Sequence, residues 1–269
     1  MAEYWPFSLS RQSLLKERLI VELDHGPRHE ALAMVELLAS SVGMFKVGKH
    51  LFMQSGPDFI REIRRRGGEV FLDLKFHDAP RFVCRAAIEA TRLGVKMFDL
   101  HPGYSTAMME RTRLEVNKLC QCEGLRRPYI VAVTMLTCMA AGQTRSYNQQ
   151  CLSAEDQIVA LARRAADASL DGVVTSPRQV SRVREACGRR VMIVTFAVSG
   201  EGGWHEQAEC IGPAQAVRSG ADYLVVGKPL WKAADPLRMV REVLREMDRG
   251  VRSAQRGSLA LFSERPSIN

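Results

Sequence analysis

A repeat of about 26 residues constrains this chain more than any other feature. Short β-branched, apolar runs begin near residues 19, 44, 70 and 96, at intervals of 25, 26 and 26, with amphipathic segments between them. That is the length of a βα unit. Further runs begin near 129, 172, 191 and 223, so eight are expected: Leu19–Asp24, Met44–Gly48, Val70–Lys75, Lys96–His101, Tyr129–Thr134, Gly172–Thr175, Val191–Thr195 and Tyr223–Gly227. Near-continuous apolar strands imply burial on both faces, hence a parallel sheet. Pro27, Pro80, Pro177, Pro213 and Pro236 fall where first helical turns would begin, which suits a residue without an N–H. Gly67-Gly68, Gly94, Gly188 and Gly220 fall where helices should end. A helix is expected from about Gly56 to Arg66, and the last one from about Pro236 to Met247. Eight units in about 230 residues fit an α/β fold of the (β/α)8 TIM-barrel type, as a single domain. An open doubly wound sheet is the alternative, but no G-x-G-x-x-G follows the first strand, which removes its dinucleotide-binding form. The organisation expected is an N-terminal extension over 1–18, the barrel over 19–248 and a polar, loosely held C-terminal tail over 249–269.

Composition narrows the class. Hydrophobic residues make up 46% and charged residues 25% of 269, enough to bury a sizeable core. No apolar stretch approaches the ~20 residues of a membrane span, and Met1–Arg18 lacks the apolar centre of a signal peptide. A cytoplasmic protein without a membrane partner is expected. Lys plus Arg is 38 and Asp plus Glu 30, so 38 − 30 leaves a net +8. Arg64-Arg65-Arg66, Arg163-Arg164 and Arg189-Arg190 sit at helix ends or outer faces, and no nucleic-acid module accompanies them. A solvated helix face, or attraction for a phosphorylated small molecule, accounts for the charge. The seven cysteines are odd in number, and Cys120-x-Cys122 has no matching second pair, so free thiols are expected rather than zinc ligands or disulfides.

In a barrel of this type the site forms at the C-terminal ends of the strands. Reading those ends gives Asp24, Lys46, Asp73, Lys75, Asp78, His101, Thr134, Thr137 and Lys228. Side chains alternate along a strand, so Asp73 and Lys75 face the same way, into the mouth, and Asp24 and Lys46 are expected to converge on them. A buried network of four charges is a poor stability device, because desolvation offsets the attraction, so such a cluster reads as catalytic. A metal site would not interleave Lys75 between Asp73 and Asp78. A Schiff-base lysine wants an apolar pocket, whereas flanking aspartates favour the ammonium form. Proton donation from a charged lysine to a developing carbanion, with a carboxylate set against an anionic substrate group, suits the array best. No metal and no cofactor are expected.

Asp73-Leu74-Lys75-Phe76-His77-Asp78 resembles the D-x-K-x-x-D signature of the orotidine 5′-monophosphate decarboxylase family, in its D-L-K-x-H-D form. The likeness extends over residues 19 to about 247, through Leu23-Asp24, Phe45-Lys46-Val47-Gly48, Val133-Thr134-Met135-Leu136-Thr137 and Asp222-Tyr223-Leu224-Val225-Val226-Gly227. It implies a metal-free, cofactor-free decarboxylation of orotidine 5′-monophosphate to uridine 5′-monophosphate. Lys75 would protonate the pyrimidine carbon, Asp73 would sit against the departing carboxylate, and Lys46 and Asp78 would complete a charged tetrad. The resemblance further implies a homodimer in which Asp78 serves the partner's site. It assigns ribose hydroxyls to Asp24 and Lys46 and the pyrimidine ring to Thr137. Gln207, Gly227 and Lys228 fall on substrate-binding positions.

The phosphate-binding segments depart from the family pattern. Thr195-Phe196-Ala197-Val198-Ser199-Gly200 stands where the family usually reads T-P-G-I-R-P, without either proline or the arginine. Gln207 aligns with a family glutamine, in a shortened loop carrying Trp204 and His205. Gly227-Lys228-Pro229 replaces G-R-P, keeping the charge but losing bidentate recognition. Ala79-Pro80-Arg81-Phe82 replaces I-P-N-T. Two enzymes fit: a decarboxylase with a divergent phosphate grip, or a paralogue acting on another phosphorylated nucleotide or sugar acid. A catalytically silent binding protein on the same barrel is the reading from a different class, and the complete tetrad speaks against it.

Overall fold

The computed structural model describes residues 11–103, 105–134, 153–196 and 211–263. The elements run α1 (Arg11–Lys16), β1 (Leu19–Glu22), α2 (Arg28–Leu38), β2 (Met44–Gly48), α3 (Lys49–Arg65), β3 (Val70–Phe76), α4 (Pro80–Arg92) and β4 (Met97–Leu100). They continue with α5 (Thr106–Glu123), β5 (Tyr129–Val133), α6 (Ala154–Asp167), β6 (Gly172–Thr175), a 3₁₀ turn (Pro177–Gln179), α7 (Val180–Cys187) and β7 (Met192–Phe196). The chain ends through α8 (Pro213–Arg218), β8 (Tyr223–Val226), α9 (Lys228–Lys232) and α10 (Pro236–Ser263). The strands pair in parallel in chain order, and β8 returns to β1 with Leu19 opposite Leu224 and Ile20 opposite Val225. That pairing closes the sheet and decides for the (β/α)8 barrel over the open alternative.

Alternation along each strand sends side chains to two separate cores. Ile20, Met44, Phe71, Met97, Val131, Val133, Val174, Val194 and Val225 fill the barrel interior. The intervening positions, Val21, Phe45, Leu72, Phe98, Ala132, Val173, Ile193 and Leu224 among them, face outward onto the helices. Each buried aliphatic or aromatic side chain contributes about 1.5–3 kcal/mol, so the apolar strands seen in the sequence are the main source of stability. Serines 105 and 153 start α5 and α6 by accepting the backbone N–H of Met108 and Asp156, each at 3.1 Å. At the N-terminal rim two carboxylates repeat one device. Asp171 accepts from Ile130 N and pairs with Arg127, and Asp222 accepts from Ile193 N and pairs with Arg184.

Two helices depart from the sequence expectation. α10 does not stop near Met247 but runs unbroken to Ser263. Within it Gly250 marks close packing: a Cβ there would run into the backbone of Ala214 on α8. α3 begins seven residues earlier than Gly56, directly after β2, and its two pieces meet at a kink where Gly56 has φ 66° ahead of Pro57. The early piece is capped from a distance, because the Asp24 carboxylate accepts the N–H of Gly48 at 2.5 Å and of Leu51 at 3.2 Å. No local pattern announces such a cap. Among the described residues, no helix is long and apolar enough to cross a membrane.

Candidate active site

Two residues beyond the apolar plug, the next inward positions of the first four strands are all charged: Glu22 on β1, Lys46 on β2, Asp73 on β3 and Asp99 on β4. Lys46, only 4% exposed, has its Nζ 2.6 Å from Asp73 Oδ2 and 2.6 Å from Glu22 Oε1. The second oxygen of Asp73 accepts a hydrogen bond from Lys75 Nζ. Beyond Glu22, its Oε2 lies 3.1 Å from His25 Nε2. The result is an alternating row, His25–Glu22–Lys46–Asp73–Lys75, reaching from buried to half-open.

Burial alone would disfavour every charge in this row, and the partners reverse it. Burial raises the Glu22 carboxyl, yet its bond to His25 and the Lys46 charge together hold it at about 2. Asp73 is likewise opposed by burial but held well below the ordinary carboxylate range by Lys46, by the neighbouring Asp99 carboxyl and by Lys75. Burial works against the Lys46 ammonium, and Asp73 and Glu22 keep it above the ordinary lysine value. Removing one member of such a row leaves an uncompensated buried charge, so the set stands or falls together.

The backbone at Lys75 is itself unusual. Its φ of 52° lies in the left-handed region, which costs a non-glycine residue energy. The β3–β4 register shifts between Leu72 and Phe76 at this point. Asp99 Oδ1 accepts the Lys75 N–H at 2.7 Å and so holds the irregularity in place. Just past the strand, His77 stacks on His101 with ring centroids 4.5 Å apart. Burial, then the neighbouring His77, lowers the His101 pKa, and Gly103 N donates to its Nδ1 at 3.1 Å.

Of the residues singled out in the sequence, Lys46, Asp73 and Lys75 meet directly. Asp24 lies at the same mouth, with its carboxylate engaged by the α3 backbone rather than by Lys46. Asp78 is exposed and accepts from the Ala79 N–H at 2.6 Å. Gly227 follows β8 beside the row, where a Cβ would meet the Glu22 carboxylate and the His25 ring and displace them. Lys228 opens α9, and Trp231 in the same helix donates its Nε1–H to the Glu22 carbonyl at 2.8 Å. Phe196, at the end of β7, packs against the interior core, while Phe82 is 42% exposed at the start of α4. Thr137 and Gln207 lie outside the described residues, as do Ser199, Trp204 and His205.

Two carboxylates of the site, Glu22 and Asp99, stand outside the residues expected from the sequence. Parity would have found both, since Glu22 is two residues from Ile20 and from Asp24, and Asp99 two from Met97 and from His101. A lone carboxylate on the inward parity of an apolar strand is the signal. A separate cavity of about 690 Å³ opens at the opposite rim, among Arg18, Asp171, Arg189, Arg190, Asp222 and Tyr223, and includes none of the row.

The model of the orotidine 5′-phosphate decarboxylase / HUMPS family matches residues 17–243. The chain belongs to this family. A Geobacter sulfurreducens orotidine 5′-phosphate decarboxylase is 42% identical over 236 residues, covering 87% of this chain and 98% of that one. One from Syntrophotalea carbinolica is 41% identical over 233 residues, covering 86% and 95%. Among solved structures, the Lactobacillus acidophilus orotidine 5′-phosphate decarboxylase superposes with a TM-score of 0.75 at 27% identity, over 85% of this chain and 98% of that one. For this member of the family, the row on β1 to β3 and the D-L-K-x-H-D segment are one object, because Asp73 and Lys75 of the segment are the row's outer end.

Proposed function

We infer that the chain decarboxylates orotidine 5′-monophosphate to uridine 5′-monophosphate, the carboxy-lyase step of pyrimidine biosynthesis. The observation that carries this reading is the unbroken carboxylate–ammonium order Glu22–Lys46–Asp73–Lys75 at the barrel mouth of a family member. The curated relatives, at about 40% identity, bear the decarboxylase name, which favours this activity over other branches of the family.

In this reading the substrate carboxylate rests beside Asp73. As the bond from the pyrimidine carbon to that carboxylate breaks, carbon dioxide leaves and the electron pair stays on the ring carbon. Lys75 Nζ gives its proton to that carbon and becomes a neutral amine, which solvent reprotonates. Lys46 and Glu22 keep Asp73 ionised and fixed, so the array stabilises developing charge without reorganising. No metal or organic cofactor enters. Asp24, Lys46, Thr137, Gln207, Gly227 and Lys228 are the substrate-holding set, with Lys228 the cation for the phosphate.

The assembly proposed is a homodimer in the cytoplasm, with Asp78 reaching the partner's site and neither nucleic acid nor membrane as partner. Exposed Asp78, next to exposed Phe82 at the start of α4, supports that arrangement. Mixing two inactive variants, Lys75→Ala and Asp78→Ala, should restore about a quarter of wild-type activity, because half the dimers are mixed and each mixed dimer holds one intact site. Additive inactivity of the mixture argues for self-contained sites.

The deciding experiment follows the ultraviolet absorbance of orotidine 5′-monophosphate on addition of purified protein, with Lys75→Ala in parallel. Loss of absorbance with wild type alone supports the reading. No loss from a folded wild-type protein overturns it.

A further inference from the structure

Asp99 is fully enclosed, 1% exposed, and sits behind the reacting groups. Its Oδ1 accepts the Lys75 backbone N–H. Its Oδ2 is buried without a donor among the described residues and faces the Asp73 carboxylate, an acceptor whose two oxygens already take Lys46 and Lys75. Two ionised carboxylates in that position would repel with nothing between them. A proton on Oδ2 removes the repulsion, satisfies the orphan atom and gives Asp73 a further hydrogen bond.

We propose that Asp99 is a positioning residue held as the neutral acid, its Oδ2–H donating to Asp73 while its Oδ1 locks the left-handed backbone of Lys75. The two groups nearest the chemistry are then oriented from one buried side chain. On β3 the groups facing Asp99 are Asp73 and Lys75, with Lys46 on β2 behind Asp73; on β5 its register partner is Val131, which brings no charge. Burial and the Asp73 charge both push its carboxyl well above the ordinary value, opposed only by Lys75. Nothing in the D-L-K-x-H-D segment requires this residue, because it comes from the next strand.

The inference rests on the reading of Asp73 and Lys75 as the reacting pair, so its test includes a measurement that needs no substrate. In infrared spectra of the whole protein labelled with ¹³C-aspartate, the carbonyl stretch of a protonated carboxylic acid should be present at neutral pH and absent from Asp99→Asn. Absence of that band in the wild type overturns the proposal whatever the enzyme's substrate. For activity, Asp99→Asn can accept through oxygen and donate through its amide, and should keep kcat within about threefold of wild type. Asp99→Val fills the space with neither function and should lose about 100-fold in kcat with KM within about threefold. An Asp99→Asn enzyme that loses as much as Asp99→Val means the carboxylate charge is needed, which overturns the neutral acid. If Asp99→Val does not fold, the infrared band and the Asp99→Asn kinetics decide between them.

Discussion

Strands β1 to β4 each carry a charged residue, Glu22, Lys46, Asp73 with Lys75, and Asp99, whereas β5 to β8 carry none at all. One half of the barrel mouth is therefore an ion array held by its own members, and the other is a smooth apolar wall. The first half is fixed before any ligand arrives, since every oxygen of Glu22 and Asp73 already has a partner. The second half offers surface and the start of α9, where Lys228, the cation proposed for the phosphate, stands. On the proposed assignment chemistry and grip are separable, because neither Lys228 nor Phe196 supplies a partner to the ionic row.

Lys75→Ala is the severest test of that division. Loss of the proton donor should lower kcat by at least about 10³-fold, with the circular dichroism spectrum preserved. Turnover near wild type would break the assignment of chemistry to the first half. Lys46→Met comes next. It leaves Glu22 and Asp73 facing one another across a buried gap, so urea titration should register a loss of about 3–5 kcal/mol together with the loss of activity. On the other half, Lys228→Ala should raise KM by about tenfold or more with a smaller change in kcat, as expected for a lost hydrogen bond to a charged group. Equal loss in kcat and KM would mean that grip and chemistry are coupled. Val194→Ala removes two methyl groups from the apolar wall and should cost about 2 kcal/mol of stability while leaving KM unchanged.

Acid sharpens the same contrast. The folded Glu22 carboxyl is held at about 2 against an ordinary 4.5, so the unfolded chain binds more protons between those values. Stability should fall as pH drops from about 4.5 through about 2, and Glu22→Gln should flatten that limb relative to wild type. A wild type and Glu22→Gln pair with parallel acid limbs would mean that the row is not held by charge.

The strand order was legible because both faces of each strand are buried, which writes the same apolar run eight times. The D-L-K-x-H-D segment was legible because its charges interrupt such a run. What escaped was set by residues far apart in the chain. Asp24 caps α3 across 24 residues, Asp99 braces Lys75 from the neighbouring strand, and Gly250 serves α8. Local pattern reading sees both partners in each case but not their meeting.

The bond from Trp231 to the Glu22 carbonyl spans 209 positions, and it sits beside the β1–β8 seam that shuts the barrel. Until that seam forms, β1 is an edge strand and Glu22, though already opposite Lys46 on β2, is open to water. Joining chain segments so far apart is the slow, entropically costly part of reaching the native state. A ribosome therefore releases almost the whole polypeptide before the ionic row can be sealed. In a refolding time course, decarboxylation should emerge with the last kinetic phase, after most helical signal has returned.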